Sequence, residues 1–549
     1  MDNFNSFKFS PGLDGFNYNR NITSLSPSCM VDGSYNFNIL SNTLRSRGGT
    51  KKIITLPERS KITSLQQVFD NSQNEVILST TSSGRIYSNS LILKNTGIGI
   101  SKCFYSWWNG NVIFNFATQA PKVWNRTDIT TTDFPEDHMA ADWITNDSYP
   151  QIMMTYGKGN SVRAWGIGQS NHSTTLYFSA INDGISTTPD FSTGNGGFFV
   201  ISTPEEEPLT ALISFGDRLI IFSKSKAFIL NDNSLDVGEW GYTEAQWKGG
   251  VISQDLVLQT ENDILCMTDD GTIYSITAVV SYGDYKISST TEVAAINKYI
   301  QKNINITQKD IFHAKFDPTL RAIKYFVPSY TSTFNNTALC YFIDKNPQNG
   351  WSIHNNTKFL SGYNAASSAT ALDVDTNSSK IITGDYNGNI WELERGNLLD
   401  ETNPYPIILK TPYINFNDPR NTKRFKRAFI EVYSDNPINI DINYTANIKN
   451  FKIKKELLDA GSSLFDIAEW DVDYFDQENR QIVNYNLDVI GVGLEQTFNF
   501  YRAEEENGCA IFDISNWDEG TFCQHTENSN AFEIISNIVD YSPISNRRL

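Results

Sequence analysis

A short structural unit recurs along much of this 549-residue chain. It consists of an apolar strand, a turn rich in Gly, Asp and Asn, and a second strand that contains aromatic residues, and it is clearest in residues 209–230, 256–276 and 380–396. Apolar and polar residues alternate within each strand, as a half-buried strand requires, and turn dipeptides such as Asp270-Gly271 separate the strands. These repeated hairpins predict an all-β fold, and more specifically a β-propeller.

Four further units of the same kind occupy residues 76–88, 111–125, 163–183 and 321–354. The count is therefore about seven, within the usual range for propellers, and places the propeller over residues 61–400. One segment, residues 291–304, departs from the pattern because its apolar residues recur at spacings of three and four. We expect a helical insertion between two blades there.

The two ends of the chain differ from this repeat. Residues 1–60 are rich in Asn, Ser and Gly, which predicts an extended N-terminal arm ending in a first strand. After residue 400 a series of prolines marks a boundary, and residues 401–549 are expected to form an additional C-terminal β-sandwich-like domain. Two alternating apolar sets predict a hairpin in this domain: Ala428, Ile430 and Val432, then Ile438, Ile440 and Ile442.

The charge of the chain limits its partners. Lys and Arg number 44 against 62 Asp and Glu, a formal net charge of −18, so the average field repels nucleic-acid phosphate and argues against a sequence-specific DNA reader. The same sign fits a channel wall past which DNA slides without sticking, although a role in solubility is the simpler explanation and is favoured over it. No apolar stretch predicts a signal peptide or a membrane span, so we expect synthesis in the cytosol without membrane insertion by the chain's own signals.

The six cysteines are widely spread, without a C-x-x-C pair. This spacing argues against a zinc site and against a disulfide framework. Cys266 and Cys340 lie in apolar strand patterns and are expected to be buried, and only Cys509 and Cys523 are candidates for a pair.

Motifs for catalysis are missing from the sequence. Residues 269–274 resemble an Asp-box of sialidases but lack its leading Ser or Thr and its closing Trp, and residues 384–389 lack the spacing of a calcium loop, so both are expected to be hairpin turns, the second of type I′. The five histidines form no H-E-x-x-H motif, and no G-x-S-x-G or phosphate-binding loop occurs. We therefore expect no enzyme activity, no cofactor and no metal.

Clusters of basic residues are the remaining candidates for a functional site. Lys423, Arg424, Lys426 and Arg427 stand together before an apolar strand on an otherwise acidic chain. With Arg45 and Arg47 from the arm, they are predicted to contact a partner protein or DNA in a channel. The simpler alternative is a solvated strand start.

The order of several short motifs resembles the tail nozzle, or packaged-DNA stabilisation, proteins of short-tailed bacteriophages. The resemblance covers about residues 10–445 and is carried by the set of segments in their order, not by any one of them. The segments are the arm from Gly12 to Pro27, LRSRGGT (residues 44–50), Arg163-Ala164-Trp165 with LYFS (residues 176–179), ISFGDRLIIF (residues 213–222), residues 262–276, Asn349-Gly350-Trp351, residues 384–393 and residues 423–433.

This resemblance implies a non-enzymatic virion protein. Such a subunit would form a homo-oligomeric ring, a hexamer, below the portal and its adaptor, where it closes and guides the DNA exit channel. Partners would then be the portal-adaptor ring, DNA in transient non-specific proximity, and tail fibres or a tail needle. Two other functions stay open: a glycan-binding or glycan-cleaving propeller, which requires acidic and aromatic residues at one channel mouth, and a cellular protein-interaction propeller.

Overall fold

The computed structural model of the chain describes residues 5–18, 25–457, 480–502 and 532–543, apart from short gaps. The gaps are residues 117, 159–160, 217, 233, 235, 246–248, 261–262, 280–283, 290–295, 347, 356–360, 374–376, 396–398, 402, 435–437 and 447–448.

Four strands precede blade 1 in the chain. They are β1 (Asn5–Phe9), β2 (Phe37–Ile39), β3 (Leu44–Ser46) and β4 (Thr50–Thr55). β1 to β3 belong to a sheet of the C-terminal domain, whereas β4 joins the propeller. The N-terminal segment therefore contributes strands to both parts of the molecule.

Seven sheets, antiparallel except for one parallel contact in the last, follow one another around the propeller. The strands of blades 1 and 2 are β5 (Ile62–Phe69), β6 (Glu75–Thr81), β7 (Arg85–Ser88) and β8 (Leu91–Asn95), then β9 (Phe104–Trp108), β10 (Asn111–Asn115), β11 (Lys122–Trp124) and β12 (Thr132–Asp133). The strands of blades 3 and 4 are β13 (Ile152–Tyr156), β14 (Arg163–Ile167), β15 (Thr175–Phe178) and β16 (Gly197–Val200), then β17 (Leu209–Phe215), β18 (Arg218–Ser223), β19 (Ala227–Asn231) and β20 (Gly241–Glu244).

The strands of blades 5 and 6 are β21 (Val257–Gln259), β22 (Asp263–Met267), β23 (Ile273–Val279) and β24 (Asp284–Ser289), then β25 (His313–Asp317), β26 (Ala322–Val327), β27 (Thr337–Phe342) and β28 (Trp351–Asn355). Blade 7 contains β29 (Ser367–Asp373), β30 (Ser378–Gly384) and β31 (Asn389–Leu393), and the short strands β32 (Leu399–Asp400) and β33 (Asn403–Pro404) extend its sheet. Each of the seven predicted hairpin units lies in a different blade, and the predicted all-β propeller is confirmed.

The ring is closed by a strand from the opposite end of the sequence. β31 pairs antiparallel with β4, from Asn389 opposite Thr55 to Leu393 opposite Thr50. β4 is therefore the fourth strand of blade 7, although it precedes blade 1 in the chain. The predicted first strand exists, but it belongs to the last blade, and the sheet of that blade continues to Pro404, beyond the predicted limit at residue 400.

Glutamine side chains join neighbouring blades at their innermost strands. Gln67 of blade 1 donates to the carbonyl oxygen of Leu372 in blade 7 (2.8 Å) and accepts from its amide (2.6 Å). Gln254, beside blade 5, makes the same two bonds with Leu212 of blade 4 (2.9 and 2.8 Å). A primary amide presents one donor and one acceptor as a neighbouring strand would, so it satisfies backbone groups at an edge that no strand covers.

The hairpin between β30 and β31 has a different turn from the predicted one. A type I′ turn requires positive φ at both Asn387 and Gly388, but only Gly388 has it (φ +78°). The amide of Asp385 donates to the carbonyl of Asn389 (2.9 Å), which leaves a three-residue loop with glycine at its left-handed position. The Asp385 carboxylate accepts from two loop amides and from the Trp391 indole (2.8, 2.8 and 3.0 Å), which accounts for its place in the motif.

Helical segments are few. The helix α1 (Ala141–Asn146) lies between blades 2 and 3, and α2 (Asn297–Asn303) lies between blades 5 and 6, where an insertion was predicted. Ile300 and Ile304 of the predicted apolar stripe are buried, while residues 291–295 lie outside the described part of the chain. The described 3-10 helices are Glu136–His138, Pro204–Glu206, Val237–Glu239, Gln254–Leu256 and Ile306–Ile311.

The C-terminal domain is a sandwich of two sheets. Its remaining strands are β34 (Ile407–Lys410), β35 (Lys423–Ser434), β36 (Ile438–Ala446), β37 (Lys449–Leu457), β38 (Arg480–Gly491), β39 (Glu495–Arg502) and β40 (Phe532–Pro543). One sheet contains β1, β2, β3, β40, β35 and β38, and the other contains β34, β39, β36 and β37.

The predicted hairpin of β35 and β36 is wrong, because the two strands lie in opposite sheets. Their six predicted apolar residues are nevertheless all fully buried in one hydrophobic cluster. The alternating pattern correctly identified the buried face of each strand. It does not reveal whether two successive strands pair edge to edge or pack face to face across a core, since both arrangements bury that face.

Candidate functional site

The N-terminal arm meets blades 6 and 7 and the C-terminal domain at a buried polar cluster, which we call the arm joint. It consists of Arg47, Lys324, His354, Glu394 and Asp400, together with the rings of Tyr363 and Tyr405. The strand pair of β2 and β3 and the following glycines bring Arg47 into this position, and β32 brings Asp400. Because the cluster contains four charged side chains in a buried setting, its hydrogen bonds decide whether it stabilises the fold.

Arg47 is fully buried, and hydrogen bonds satisfy its guanidinium on every side. Its Nη1 and Nη2 donate to the two carboxylate oxygens of Asp400 (3.0 and 2.8 Å), Nη1 also donates to the Gly48 carbonyl (2.8 Å), and Nε donates to the Asn36 side-chain oxygen (2.9 Å). Burial alone would lower the pKa of Arg47, but the Asp400 carboxylate outweighs it and the pKa is raised. Arg47 is thus a charged internal cross-link.

Two aromatic rings enclose the same guanidinium. Its central carbon lies 4.4 Å from the ring centre of Tyr363 and 3.4 Å from that of Tyr405, within cation–π range. The Tyr405 hydroxyl also donates to the Arg47 carbonyl oxygen (2.5 Å). The predicted contact of Arg47 with a partner or DNA therefore needs correction, since its side chain has no accessible surface in this chain.

Glu394 is the second centre of the arm joint. One carboxylate oxygen accepts from the Gly48 amide (2.6 Å) and the Asn38 side chain (3.0 Å), and the other accepts from the Tyr363 hydroxyl (2.9 Å) and the buried Lys324 ammonium. Burial would raise the pKa of Glu394, but Lys324 and the other donors hold it well below its ordinary value. The carboxylate is therefore ionised and ties the arm to blades 6 and 7.

His354 completes the arm joint in its neutral form. Its Nε2 lies 2.9 Å from the Phe37 carbonyl of the arm, to which it donates, and its Nδ1 lies 3.2 Å from the Tyr363 hydroxyl. Burial, with the nearby Lys324 charge, lowers the pKa of His354 to about 3. This role could not be predicted from the sequence, because His354 lies in β28, Glu394 directly follows β31, and Asp400 lies in β32.

Arg45 lies beside the arm joint and lines a cavity of about 310 Å³ between the arm and blades 6 and 7. The cavity is lined by charges of both signs. Lys380 lies 3.6 Å from Glu392 and 3.7 Å from Asp373, and Arg395 lies 3.0 Å from Glu392. Arg45 itself is half-buried, so a contact of this residue with a partner stays a prediction.

The basic cluster of the C-terminal domain is divided by its strand. Lys423 is buried, and its ammonium donates to backbone carbonyls of Asn421 (3.0 Å) and Val492 (3.1 Å) and also to that of Asp418, while burial lowers its pKa. Its predicted contact with a partner or DNA needs the same correction as that of Arg47. A lysine in this position closes a loop, because its three donors can bind several carbonyls at once.

The other members of the basic cluster lie at the surface of β35. Arg424 and Arg427 are exposed and Lys426 is half-exposed. Arg424 lies directly opposite the exposed Ile490 of β38, so positive charge and apolar surface adjoin on the outer face of this sheet. The prediction of a partner or DNA contact stays open for these three residues.

A second cavity, of about 520 Å³, lies at the outer edge of blade 3. Asp142, His172, Tyr177 and Phe198 contribute to its wall, and the Tyr177 hydroxyl donates to Gln169 (2.8 Å) and to Asp142. Asp142 is the one acidic residue of this wall. Glycoside hydrolysis ordinarily requires a pair of carboxylates, so this cavity has the aromatic part of a glycan site without the cleaving pair.

Metal-binding and membrane-spanning features were sought in the part of the chain that the structure describes. In that part, no three His, Cys, Asp or Glu side chains come together as metal ligands, and no helix has the length and apolarity needed to cross a bilayer. Cys29, Cys103, Cys266 and Cys340 are buried, as predicted for Cys266 and Cys340. Cys509 and Cys523, the predicted candidates for a pair, lie outside the described residues.

Comparisons with known proteins bear on the fold and not on the function. No protein-family model and no curated protein matches the chain. Similar solved structures include the computationally designed Ika8 protein, at 10% identity and a TM-score of 0.33, and the β-propeller domain of Cps50 (Swd1) from Myceliophteria thermophila, at 13% identity and a TM-score of 0.38. Each alignment covers 63% of this chain and 99% of the other. The sheet topology described above makes the chain an all-β propeller protein with an added β-sandwich.

Proposed function

We propose that this chain is a structural subunit of a short-tailed bacteriophage tail. In this proposal it forms the nozzle, a hexameric ring below the portal and its adaptor that closes and guides the DNA exit channel. It acts by holding its shape and its neighbours in place, without catalysis, and it resides in the virion after synthesis in the host cytoplasm.

The observation that supports the proposal most is that two of the segments that carry the resemblance to nozzle proteins contact each other in the fold. Gly15 of the arm motif packs against Asn349 of the Asn349-Gly350-Trp351 turn so closely that a Cβ atom would lie 2.2 Å from the Asn349 carbonyl oxygen. The next residue, Phe16, donates its amide to the Trp351 carbonyl (2.7 Å). Segments of the resemblance that are far apart in sequence thus meet and join the arm to the propeller.

Exposed apolar side chains supply surfaces for assembly. On the edge strand β16, Phe198 and Val200 are 62% and 60% exposed, and Ile482 and Ile490 of the sandwich are 56% and 55% exposed. An uncovered strand edge and apolar residues on a sheet face are features of surfaces that meet other subunits. In a nozzle these surfaces would be buried between neighbouring copies or against the adaptor.

Mass spectrometry of purified infectious particles tests the proposal. We expect half as many copies of this chain as of the portal protein, the ratio that six subunits below a twelve-subunit portal ring would give. Finding the chain only free in the lysate, and not in particles, would contradict the proposal. The internal control is the adaptor protein, whose ratio to the portal is measured in the same sample.

The basic residues on β35 allow a sharper test. In a phage that relies on a supplied copy of this chain, the double change Arg424→Glu with Arg427→Glu should lower its incorporation into particles, because it reverses exposed charge without disturbing the buried face of the strand. Arg59→Glu, an exposed charge reversal on the propeller, is the matched control. Equal incorporation of the double variant and the control would remove these residues from the proposed contact.

A glycan-binding propeller is the second candidate function, and the cavity of blade 3 is the observation that favours it. Its exposed Phe198 ring and its Asp142 and His172 side chains are groups that commonly hold sugars. A glycan array with the purified chain decides between the two: binding that Phe198→Ala abolishes would support this function, and an array without signal would leave the structural one.

A further inference from the structure

Four charged residues gather at one mouth of the propeller channel. Equivalent innermost strands of a propeller are related by rotation about its axis, so their starting ends lie at the same mouth. Lys61 immediately precedes β5, Lys102 precedes β9, and Asp255 lies in the 3-10 helix before β21. Lys315, in β25, is close enough to Asp255 to influence its ionisation. We call Lys61, Lys102 and Lys315 the axial lysines.

One ion pair crosses the axis. The Lys102 ammonium contacts the Asp255 carboxylate, although Lys102 introduces blade 2 and Asp255 introduces blade 5. In a ring of seven blades these two are as far apart as any two can be. The two side chains are only 25% and 17% exposed, so the ion pair at the mouth is largely shielded from bulk solvent.

The charges of these four residues do not balance. Three lysines accompany one carboxylate, so the group has two positive charges in excess. Burial would raise the pKa of Asp255, but Lys102 and Lys315 lower it, so the carboxylate is ionised. Lys61 has another lysine as its neighbour, and burial together with the Lys102 charge lowers its pKa. A concentration of like charge in a half-buried place is unfavourable unless a counter-charge joins it.

The neighbouring histidine does not supply that counter-charge and does not add to the excess. His313 is buried, with its Nδ1 2.8 Å from the Ser368 hydroxyl and its Nε2 3.1 Å from the Ala365 carbonyl. Burial lowers its pKa to about 3, so the ring is neutral near pH 7. The excess of positive charge at the mouth therefore comes from the axial lysines alone among these groups.

We propose that this mouth binds a phosphate group, held by the axial lysines around the Lys102–Asp255 ion pair. Lysine ammonium groups suit a compact oxyanion, since each is a point charge with three donors that can turn toward it. The doubly negative charge of hydrogen phosphate equals the excess at the site. The inference concerns the isolated chain and does not depend on its proposed place in a virion.

Asp255 gives the site a means of selection among oxyanions. Hydrogen phosphate at neutral pH, and a phosphate monoester near or below its second pKa of about 6, have a P–OH group that can donate to the Asp255 carboxylate. Sulfate has no proton at neutral pH and neither has an internal phosphodiester of nucleic acid, so both would place an oxyanion against the carboxylate. The site should therefore prefer free phosphate or a terminal phosphate over sulfate and over the nucleic-acid backbone.

Isothermal titration of the full-length chain with sodium phosphate and with sodium sulfate, at equal ionic strength, tests the proposal. We expect phosphate to bind at least about tenfold more tightly than sulfate, and Lys61→Gln or Lys315→Gln to weaken phosphate binding by about tenfold or more. Lys226→Gln, which removes the lysine of a surface ion pair with Glu244 in blade 4, is the matched control and should bind as the unaltered chain does. Equal binding of the two anions, or unaltered binding by both axial variants, would overturn the proposal.

Two additional measurements make the result decisive. Both axial variants retain the Lys102–Asp255 ion pair, and far-ultraviolet circular dichroism establishes that each is folded; either folded variant suffices. A short oligonucleotide with a 5′-phosphate, compared with the same oligonucleotide ending in a 5′-hydroxyl, separates the sources of phosphate. Competition by the phosphorylated form alone identifies a terminal phosphate, competition by neither identifies free phosphate, and equal competition by both would contradict the selection by Asp255.

Discussion

At the scale of single residues, two basic side chains that the sequence suggests as contact residues have structural roles inside the chain. Arg47 and Lys423 occur in basic stretches that are typical of contact surfaces, yet each is buried against oxygen acceptors of its own chain. Sequence gives the charge of a residue but not the location of its acceptors. For Arg47 these are Asn36 and Asp400, the second of them more than 350 positions away.

Removing one partner of the Arg47–Asp400 pair should be costly. Arg47→Met leaves a buried carboxylate without its cation, and we expect unfolding in urea to show a loss of about 3–5 kcal/mol. Arg47→Lys should recover little of it, because an ammonium cannot reproduce the two parallel hydrogen bonds. Arg321→Met, which removes an exposed ion pair with Asp344, should cost less than about 1 kcal/mol. Similar losses for the two methionine variants would contradict the assigned role.

The two buried histidines predict how stability depends on pH. Burial lowers the pKa of His313 and of His354 from 6.5 to about 3, so the unfolded chain takes up protons below pH 6.5 that the folded chain refuses. Stability is therefore complete above about pH 6.5 and falls as the pH decreases, by about 1.4 kcal/mol per pH unit for each histidine.

Urea unfolding at pH 7, 6 and 5 measures this slope. We expect His313→Gln to reduce the slope by about 1.4 kcal/mol per pH unit, the contribution of one proton, whatever its effect on stability at pH 7. His172→Gln, at an exposed site on blade 3, should leave the slope unchanged. A slope that His313→Gln does not alter would show that this ring is protonated in the folded chain.

At the scale of strands and turns, the sequence predicts where the strands lie better than it predicts which strands pair. Each of the seven hairpin units lies in one blade because alternating burial within a strand is a local property. The pairing of β4 with β31 was missed, since nothing in residues 50–55 indicates a partner more than 300 positions away. The position of β36 in the second sheet, opposite β35, is likewise not predicted, because the sequence of a strand does not indicate its partner. The arm joint, which needs all these pairings at once, was beyond sequence reasoning altogether.

The turn at Asp385 gives a prediction at this scale. Asp385→Ala removes the acceptor for two loop amides and for the buried Trp391 indole, and we expect a loss of about 3 kcal/mol or more in the free energy of unfolding. Asp70 makes the same bonds to the amides of Ser72 and Asn74 in an exposed loop, without an indole, so Asp70→Ala is the matched control and should lose much less. Calorimetry of both variants measures the difference, and equal losses would refute the part given to Trp391.

At the scale of the whole molecule, the propeller and the sandwich share one interior. A single hydrophobic cluster runs from Phe16 and Phe37 of the arm through blades 4 to 7 into the sandwich. The Asn36 amide donates to the Ile353 carbonyl of blade 6 (2.8 Å), and its side chain donates to the Pro406 carbonyl that precedes the sandwich (2.5 Å). The arm is therefore the common packing partner of both parts.

This shared interior predicts how the chain unfolds. Heating the complete chain should give one cooperative transition in calorimetry, because neither part can lose its packing alone. Removal of residues 1–49, which spares β4, should separate this into two transitions at lower temperatures. Two transitions in the complete chain would contradict the shared interior, and the Arg45→Ala variant, with the arm intact, serves as the control that should keep one.

The closure of blade 7 has a consequence for folding during translation. β4 is synthesised long before its partner β31, which begins at Asn389, and β1 is synthesised long before its partner β40, which ends at Pro543. Each of these two strands must therefore wait, unpaired, until its distant partner has been synthesised. A premature stop between β31 and β40 would release a chain in which β4 can pair but β1 has lost its partner strand.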